Sequence, residues 1–567
     1  MPKRPHEKRS KSPAGLRPTG ITALDEILHG GLPVDAAVLV AGASGTGKTA
    51  LCLQWLFAGY EQLAEPGLYI SFTEPVHKVA HNLQGLTFFK KSYLNPLQIH
   101  LTDLRGILKG IGLEEEQAFQ REDLRKIVET IRNMAEQMQA KRVVIDSITA
   151  MAYRLKDKSL IRDFIFELGN ALAQLQTNVL MTSEVAGEGY SIFGVEEFIA
   201  DGIVKLTHER TSQDTLTRKL EIVKMRALGY DSSSIHFRIT GDGLVFFPRP
   251  PLELTYPVSD QRISTGIEGL DAMTNGGMYR GSVTILSGPS GTGKTNLALH
   301  FVLKGLEEGE RVVYVSTEES HDHLLQNAAS FGWNLAPYER TKKLTILTAY
   351  PDQYFPEEFL ELVRGMVRER GATRLVFDSL SSLRNAYVPE VVHDFSKRLT
   401  ASMKHEQVTT WLSVASEAFL GSESVTDIHL STVADNIILL RYIEIQSELK
   451  HGLLLLKIRG SAHDKKLREF IFTPEGIQLS TSFSGYEGVM GGLARKVSIS
   501  TEEQLHVLFL EMLGPMGERI FVEEKAKGLT QDRVAFMIKQ LGNQRIISEN
   551  RKEEFLDRTK SIFSTNI

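Results

Sequence analysis

Cysteine is almost absent from this chain of 567 residues, and long apolar runs are missing. The single cysteine, Cys52, has no partner for an internal disulfide, so we expect a reducing, cytoplasmic compartment. No apolar run approaches the roughly 18 residues that span a bilayer, and we expect no membrane association. Residues 1–13 are basic and lack the apolar core of a secretory signal, which predicts a disordered tail.

A large charge of either sign is also missing. The formal net charge of -5 gives no general attraction to nucleic acid or to acidic membranes. Hydrophobic residues make up 42% of the chain and charged residues 24%, as in ordinary soluble globular proteins. A chain of 567 residues is too long for one hydrophobic core, so two or three domains are expected.

One glycine-rich octet occurs twice, over residues 42–49 and 288–295. Each copy follows a short apolar run and precedes a helical pattern, which is the strand, loop and helix of a P-loop. Backbone N–H groups of such a loop bind nucleotide phosphates, the lysine reaches the β- and γ-phosphates, and the threonine helps to hold Mg²⁺. The predicted ATP contacts are Gly45, Thr46, Gly47, Lys48, Thr49, Ser290, Gly291, Thr292, Gly293, Lys294, Thr295 and Asn296.

Both P-loops belong to a longer repeat. Residues 19–25 closely match residues 265–271, and a period this long indicates a duplicated domain. Apolar strands alternate with helical stretches in both halves, which predicts an α/β fold with mainly parallel sheets. We predict a first domain over residues 14–248, a linker over 249–259, a second domain over 260–485 and a mostly helical extension over 486–567.

An acidic residue ends a later strand in each half. Asp146 and Asp378 both follow four mainly apolar residues and precede a serine. A strand-terminal aspartate alone is more often a helix cap, but recurrence after both P-loops favours a Mg²⁺ contact. The predicted metal residues are therefore Thr49 with Asp146, and Thr295 with Asp378.

Between P-loop and aspartate the halves differ. The second half has the pair Glu318-Glu319, which suits a general base beside a γ-phosphate; the alternative is a solvated strand end. In the first half Thr73 stands in the place of Glu318, and Glu74 is the remaining catalytic candidate. We therefore expect the first half to have an impaired base and slow hydrolysis.

Each half also has a Lys-x-Arg on a later strand, where the period-two spacing directs both cations to one face. The triplets are Lys224, Met225 and Arg226, then Lys457, Ile458 and Arg459. Isolated cations of this kind face water on an edge strand. Their repetition favours phosphate clamps, offered across a subunit interface as arginine fingers.

The halves differ again before this triplet. Aligning residues 201–204 with 435–438 places Glu197 and Phe198 opposite Ser431 and Thr432. A Ser-Thr pair is ordinarily a turn or a helix cap. Two adjacent hydroxyls in one half only are also candidates for phosphorylation.

Taken together, these motifs resemble the KaiC family, the double-domain RecA-type ATPases and autokinases of the cyanobacterial circadian clock. The resemblance spans roughly residues 14–490 and includes both P-loops, Glu318-Glu319, both Asp-Ser strand ends, residues 194–198, 426–432 and 457–464. It implies two tandem RecA-like domains, and a homohexamer of two stacked rings with ATP between adjacent subunits.

The resemblance also implies roles. The first half would be an ATPase, and the second an autokinase that phosphorylates Ser431 and Thr432 and later loses the phosphate. Glu318 would be the kinase base, with Lys457, Arg459, Ser461 and His463 approaching the neighbouring subunit's nucleotide. The chain departs from the family pattern at Thr73 and at Tyr230, which replaces a nucleotide-contacting histidine.

The extension beyond residue 498 resembles neither half. It contains 10 Lys+Arg against 11 Asp+Glu, so it shows no nucleic-acid footprint. We expect oligomer contacts from it, including stacking of hexamers; a winged-helix DNA reader is the alternative. The resemblance implies a KaiB-like partner, whereas the extension alters the short tail that a KaiA-like partner would bind, which argues against that partner.

Two other functions remain open. A RecA-like DNA-dependent motor would need a basic loop interleaved with aromatics, and we find none in the chain. A nucleotide-gated signalling scaffold that scarcely hydrolyses ATP is favoured by Thr73. Timing or stress signalling by an ATPase with Ser/Thr autokinase activity is the function that most of the motifs favour.

Overall fold

The computed structural model describes residues 15–114, 119–155, 157–185, 189, 200–210, 216–230, 233–250, 252, 255–416, 432–445, 447–483, 486–487, 495–496, 500–544 and 546–564. The chain divides into two compact units. The first contains residues 1–251 and 355–361, and the second contains residues 252–354 and 362–567. Among the described residues, no helix has both the length and the apolar character that a membrane crossing requires.

The first unit is built on a nine-stranded sheet in the order β11-β10-β9-β8-β3-β7-β6-β4-β5. Neighbours from β8 to β5 are parallel, and β8 to β11 form an antiparallel ladder. The strands are β1 Leu16–Arg17, β2 Leu32–Pro33, β3 Ala37–Gly42, β4 Gly67–Ser71, β5 Ile99–Asp103, β6 Arg142–Asp146, β7 Asn178–Glu184, β8 Gly202–Arg210, β9 Leu216–Met225, β10 Ile235–Thr240 and β11 Gly243–Phe247. The α-helices are α1 Thr22–Ile27, α2 Lys48–Leu63, α3 Val76–Asn82, α4 Leu104–Gly110, α5 Arg121–Gln137, α6 Ile148–Leu155 and α7 Lys158–Ala173.

The second unit repeats this sheet strand for strand, in the order β22-β21-β20-β19-β14-β18-β17-β15-β16. The strands are β12 Arg262–Ile263, β13 Met278–Tyr279, β14 Val283–Gly288, β15 Val312–Ser316, β16 Leu344–Thr348, β17 Arg374–Asp378, β18 Thr409–Ala415, β19 Asn436–Ile445, β20 Glu448–Ile458, β21 Arg468–Thr473, β22 Gly476–Ser482, β23 Tyr486–Glu487 and β24 Arg495–Lys496. The α-helices of the second half are α8 Glu268–Met273, α9 Lys294–Glu307, α10 His321–Ser330, α11 Ala336–Arg340, α12 Pro356–Arg370, α13 Leu383–Ala386 and α14 Pro389–His405, of which α12 has its first six residues in the first unit. The predicted tandem α/β architecture with mainly parallel sheets is confirmed.

The central strands are buried on both faces. Every residue of β3, β4 and β6 is buried, and so is every residue of β14, β15 and β17. Parallel strands covered by helices on both sides carry such unbroken apolar runs. Strand ends are therefore the places where polar side chains reach solvent, and all the carboxyl ends of these parallel strands lie at one edge of the sheet.

A fully buried arginine anchors each half. Arg142 donates from Nε to Glu65 at 2.7 Å and from NH1 to the carbonyls of Thr19 at 2.6 Å and Trp55 at 2.7 Å. Its guanidinium passes so close to Gly59 that a Cβ there would lie 2.2 Å from Nε. One side chain thus joins the entry segment, the P-loop helix and the strand that carries the aspartate.

Arg374 does the same in the second half. It donates from NH1 to the carbonyls of Ser264 at 3.0 Å and Phe301 at 2.9 Å, and from NH2 to Glu308 at 3.1 Å. Gly305 takes the place of Gly59, since a Cβ there would lie 2.6 Å from Arg374 Nε. The duplication therefore retained a buried charged anchor as well as the motifs.

Four helices follow the second sheet: α15 Thr501–Leu513, α16 Pro515–Ala526, α17 Gln531–Asn543 and α18 Glu549–Ser564. Ser500 and Glu503 form a capping box at the start of α15. These helices share a core of their own that includes Leu505, Phe509, Ile538 and Phe555. The predicted helical C-terminal extension is confirmed.

Candidate nucleotide-binding and active site

The two P-loops have the same conformation. Gly47 and Gly293, directly before helices α2 and α9, have φ values of 102° and 92°, which glycine adopts without strain. Lys48 Nζ donates to the Gly42 carbonyl at 2.8 Å, and Lys294 Nζ donates to the Gly288 carbonyl at 2.8 Å. Burial lowers the pKa of both lysines. Each ammonium is thus held over a loop whose helix N-terminus suits a phosphate.

The remaining predicted loop contacts divide by exposure. Thr46 and Thr292 are buried, and their hydroxyls donate back to Ala43 at 2.8 Å and Pro289 at 2.7 Å. Gly45, Ser290 and Gly291 are exposed, whereas Asn296 is half-buried in the first turn of α9. The buried threonines shape the loop, and the exposed positions present it to a ligand.

The predicted Thr–Asp pairs form in both halves. Thr49 Oγ1 donates to Asp146 Oδ2 at 2.7 Å, and Thr295 Oγ1 donates to Asp378 Oδ2 at 2.8 Å. Hydroxyl and carboxylate oxygens are ligands that fit Mg²⁺. The described residues contain no cluster of three or more His, Cys, Asp or Glu suited to a metal, so most other ligands of such an ion would be phosphate oxygens and water.

Two further hydroxyls hold each aspartate, and motif reasoning missed them. Tyr69 OH donates to Asp146 Oδ2 at 2.8 Å, and Thr182 Oγ1 donates to Asp146 Oδ1 at 2.6 Å. Tyr314 and Ser413 occupy the same positions around Asp378. Burial, followed by the charge of the aspartate, raises the pKa of both tyrosines, so each remains a donor. The recurring Tyr-x-Ser at the end of β4 and β15 was the available signal.

The carboxylate pair of the second half lies in a turn, because β15 ends at Ser316. Ser316 Oγ donates to the Glu319 carbonyl at 2.7 Å and accepts from the Glu319 amide at 3.1 Å. Ser379 Oγ donates to Glu318 Oε1. Burial and the nearby charge of Asp378 raise the pKa of Glu319. Glu318 is thus hydrogen-bonded beside the Thr295–Asp378 pair, whereas Glu319 is the more buried acid.

The first half has the same turn with different side chains. The Glu74 amide donates to Ser71 Oγ at 3.0 Å, so Glu74 corresponds to Glu319 and Thr73 to Glu318. Glu74 lies 3.3 Å from Lys78, and its side chain is 43% exposed, against 29% for Glu319. The first-half turn therefore presents a hydroxyl where the second presents an acid, and its own acid faces an exposed lysine.

Each Lys-x-Arg lies at the sheet edge opposite its own P-loop. Lys224 Nζ donates to the Ala200 carbonyl at 2.7 Å, and Arg226 NH1 contacts Asp201 Oδ1 at 3.2 Å. The Asp201 carboxylate also accepts from the amide of Ala37, the first residue of β3, at 3.1 Å. The P-loop follows the last residue of that six-residue strand. At about 3.3 Å per residue, the cations lie about 17 Å from their own loop.

The second-half triplet has the same position and one additional cation. Lys457 Nζ donates to the Ala434 carbonyl at 2.8 Å, and Arg459 NH1 contacts Asp435 Oδ1 at 3.2 Å. Buried Lys404 donates to the same Asp435 oxygen at 2.8 Å. The residues between the cations, Met225 and Ile458, are only 5% and 8% exposed, so their side chains belong to the core.

The other predicted second-half residues lie near this edge or outside the described residues. Ser461 Oγ accepts from Arg262 at 2.7 Å, and His463 Nε2 is buried without a hydrogen-bond partner. Ser431 lies outside the described residues, as do residues 194–198. Thr432 is exposed and precedes Asp435 by three residues, which span at most about 10 Å.

Comparison with known proteins agrees with this geometry. A family model described as "ATPase: KaiC" matches residues 17–250 and again residues 263–482. The chain belongs to the KaiC family. It is therefore an ATP-binding chain with two ATPase domains of the KaiC type.

Three relatives align with this chain over most of their own length. The circadian clock oscillator protein KaiC of Parathermosynechococcus lividus is 34% identical over 489 residues, which cover 86% of this chain and 89% of that protein. KaiC 1 of Synechocystis sp. is 33% identical, with 86% of this chain and 93% of that protein covered. KaiC of Synechococcus elongatus is 32% identical with the same coverage. The matched lengths span both P-loop domains.

Proposed function

We propose that the chain is an ATP-hydrolysing hexamer whose second half is a Ser/Thr autokinase acting on Ser431 and Thr432. The observation that carries the proposal is the pair of opposite sheet edges in the second half. Lys294, Thr295 and Asp378 lie at the carboxyl edge, where the γ-phosphate would bind. Lys457 and Arg459, which we call the finger cations, lie at the amino edge. Thr432 lies within about 10 Å of Asp435 at that edge.

These positions favour transfer between copies of the chain. The P-loop is about 17 Å from the edge that carries Asp435, and the three residues back to Thr432 are too few to cross that distance. In-line transfer needs the acceptor oxygen next to the γ-phosphate. A head-to-tail ring would bring the acceptor and the fingers of one subunit to the P-loop of the next.

In the transfer step, Lys294 neutralises charge on the β- and γ-phosphates, and Thr295 and Asp378 fit a Mg²⁺ ion that supplies further neutralisation. Glu318 accepts the proton of the acceptor hydroxyl as the hydroxyl oxygen bonds to the γ-phosphorus. The bond from the γ-phosphorus to the β–γ bridging oxygen breaks, and its electron pair stays on ADP. Arg459 and Lys457 of the neighbouring copy stabilise the transferring phosphoryl group. Phosphorylation adds close to two negative charges at an interface, which suits a switch in ring packing.

The first half would hydrolyse ATP and hold the ring, because nucleotide binding at composite sites favours assembly by mass action. The relatives are circadian clock oscillator proteins, and we propose a role in timing or stress signalling for this chain. The C-terminal helices leave Val507, Val522 and Phe536 exposed, and we assign them to hexamer stacking or to partner contact. A KaiB-like partner would fit the same family role.

A mixing experiment tests transfer between copies. A full-length Lys294→Ala chain cannot transfer phosphate, and a Ser431→Ala/Thr432→Ala chain cannot accept it. After the two are mixed, disassembled and reassembled with γ-labelled ATP, the label should appear on the Lys294→Ala chain, identified by a size tag. Neither chain alone should incorporate label.

Label on neither chain after mixing, with wild type labelled in parallel, would exclude transfer between copies. Phosphate mapped by mass spectrometry to residues other than Ser431 and Thr432 would exclude the proposed acceptors. If wild type releases phosphate only with added DNA, a DNA-dependent motor is the better description. If it neither releases phosphate nor becomes labelled, a nucleotide-gated scaffold is.

A further inference from the structure

The first half has an acidic residue beside its P-loop, Glu184, that belongs to none of the predicted motifs. Glu184 is the last residue of β7, and it pairs in parallel register with Gly42, whose carbonyl accepts from Lys48. Paired residues of neighbouring strands lie about 4.8 Å apart. Glu184 is exposed at the carboxyl edge of the sheet, beside the P-loop ammonium.

The direction of the Glu184 side chain follows from its strand. Side chains two residues apart on a strand share a face. Two residues before Glu184, Thr182 donates to Asp146 Oδ1 at 2.6 Å, so that face carries the Thr49–Asp146 pair. The Glu184 amide donates to Thr149 Oγ1 at 2.9 Å, which fixes the end of β7 against α6. The carboxylate therefore extends past Asp146 toward the nucleotide.

The second half has no acid at this position. Ser413 contacts Asp378 as Thr182 contacts Asp146, and two residues later stands Ala415, paired with Gly288. The second half instead has Glu318 in the turn after β15, the strand at the other side of the Asp378 strand. The first half has Thr73 there. Glu184 and Glu318 thus lie on opposite sides of the Thr–Asp pairs of their respective halves.

We propose that Glu184 is the carboxylate that orients and deprotonates the attacking water in the first half. Thr73 stands there in the position that the acid Glu318 has in the second half. The inference deepens the proposed function, since it rests on ATP hydrolysis in that half. The water oxygen bonds to the γ-phosphorus as the bond to the β–γ bridging oxygen breaks, leaving that electron pair on ADP. The water proton passes to Glu184, which returns it to the released phosphate or to solvent.

The charge pattern agrees with this position. Lys48 interacts electrostatically with both Glu184 and Asp146, so the two carboxylates lie on either side of the phosphate site. An acid next to the P-loop lysine lies within reach of a water in line with the γ-phosphate. Glu74, by comparison, lies 3.3 Å from Lys78, on the other side of the Asp146 strand.

The test uses the full chain with Lys294→Ala, so that phosphate release reports on the first half. Adding Glu184→Gln should lower phosphate release roughly 100-fold, the usual contribution of a general base. The affinity for a fluorescent non-hydrolysable ATP analogue should change less than about twofold, because Glu184 orients water and does not bind the nucleotide. Purified protein should therefore retain ATP instead of ADP. Glu209→Gln, an exposed carboxylate paired with Lys219 on the same sheet, is the matched control.

If the Glu184→Gln chain hydrolyses ATP as fast as its parent, the inference is wrong but the proposed function stands. A loss of phosphate release with Glu74→Gln would then identify Glu74 as the base. Loss of analogue binding together with hydrolysis would also overturn it, since Glu184 would then bind nucleotide. If the Lys294→Ala parent releases no more phosphate than Lys48→Ala/Lys294→Ala, first-half hydrolysis is absent. The proposed function then fails together with the inference.

Discussion

Around Asp146, the neighbouring strand β7 ends in the acid Glu184, and Thr73 follows the other neighbour, β4. Around Asp378 the arrangement is reversed, since β18 ends in Ala415 and Glu318 follows β15. The P-loop lysine, the threonine and the aspartate have the same contacts in both halves. Duplication therefore kept the phosphate cradle, and our proposals assign the different positions of the acids to attack by water in the first half and by a hydroxyl in the second.

The turns that follow β4 and β15 differ in packing too. In the second half Thr317, Ser379 and Ser382 join in a buried network of hydroxyl and backbone hydrogen bonds. In the first half Phe72 takes the place of Thr317 and packs against Phe164 with ring centroids 6.3 Å apart. The second-half turn is held by directional bonds that also position Glu318, and the first-half turn is held by apolar contact.

The largest effect that we expect comes from removing the second-half acid. Glu318→Gln should lower incorporation of γ-label into the protein roughly 100-fold, because the acceptor hydroxyl loses its base. Autoradiography of wild type and variant measures this. Glu369→Gln, with an exposed carboxylate in the same half, is the control and should be labelled like wild type. Equal labelling of the two variants would mean that Glu318 is not the base.

The next effect is on assembly. Lys48→Ala should reduce the hexamer fraction in ATP more than Lys294→Ala does, because we assign ring holding to the first half and nucleotide binding is linked to assembly. Native mass spectrometry at one protein concentration gives the fractions. A larger loss for Lys294→Ala would reverse the assignment of the halves.

The repeated motifs made much of this molecule predictable. A P-loop requires a strand, a tight glycine turn and a helix, so two copies specify the centres of two sheets. The Thr–Asp pairs followed from that context, since Asp146 and Asp378 end strands after each loop. The geometry of the turns could not be predicted from the motifs. Because β4 and β15 end before Thr73 and Glu318, strand alternation does not set the direction of these two side chains.

Residues brought together by strand pairing were beyond motif reasoning. Glu184 lies 136 positions from Lys48, and only the register of β3 with β7 places it beside the lysine. Lys404 reaches Asp435 from the end of a helix, a contact that no local pattern reports. Arg142 and Arg374 begin their strands as ordinary-looking cations, yet both are fully buried.

A smaller difference between the halves should appear in how their stability depends on pH. His300 Nε2 accepts from the Ile477 amide at 2.8 Å, and at the matching position Gln54 Oε1 accepts from Leu244 at 2.7 Å. Burial lowers the pKa of His300 to about 4. Between about pH 6.5 and 4 the unfolded chain binds a proton that the folded chain does not, so stability falls as pH falls through this range, by up to about 3 kcal/mol.

His300→Gln, which installs the first-half residue, should remove this dependence. Chemical unfolding at pH 7 and at pH 4.5 measures the difference for the second-half transition. The first-half transition of the same protein is an internal control for the other acid-sensitive groups. A His300→Gln chain that remains as acid-sensitive as wild type would exclude this histidine as the cause.

The smallest effect should come from adding an acid to the first half. Thr73→Glu in a Glu318→Gln background should raise phosphate release by less than about tenfold, because Glu184 already serves as the base. A malachite-green assay of released phosphate compares the double and single variants. Thr73→Gln in the same background controls for side-chain size. A fall in release would mean that the added side chain displaces the attacking water.

The opposite placement of P-loop and finger cations restricts the symmetry of any assembly. A two-fold dimer joins one self-complementary patch to its own copy, so it completes a site only if P-loop and fingers lie in that same patch, whereas here they lie at opposite edges of the sheet. Cations that complete the site of a neighbouring copy would require subunits joined front to back, and such contacts either close into a ring or extend as a filament. An open row of subunits always leaves one P-loop without fingers, whereas a closed ring has as many complete sites as subunits. Ring closure is therefore the state in which every bound nucleotide contributes to holding the assembly together.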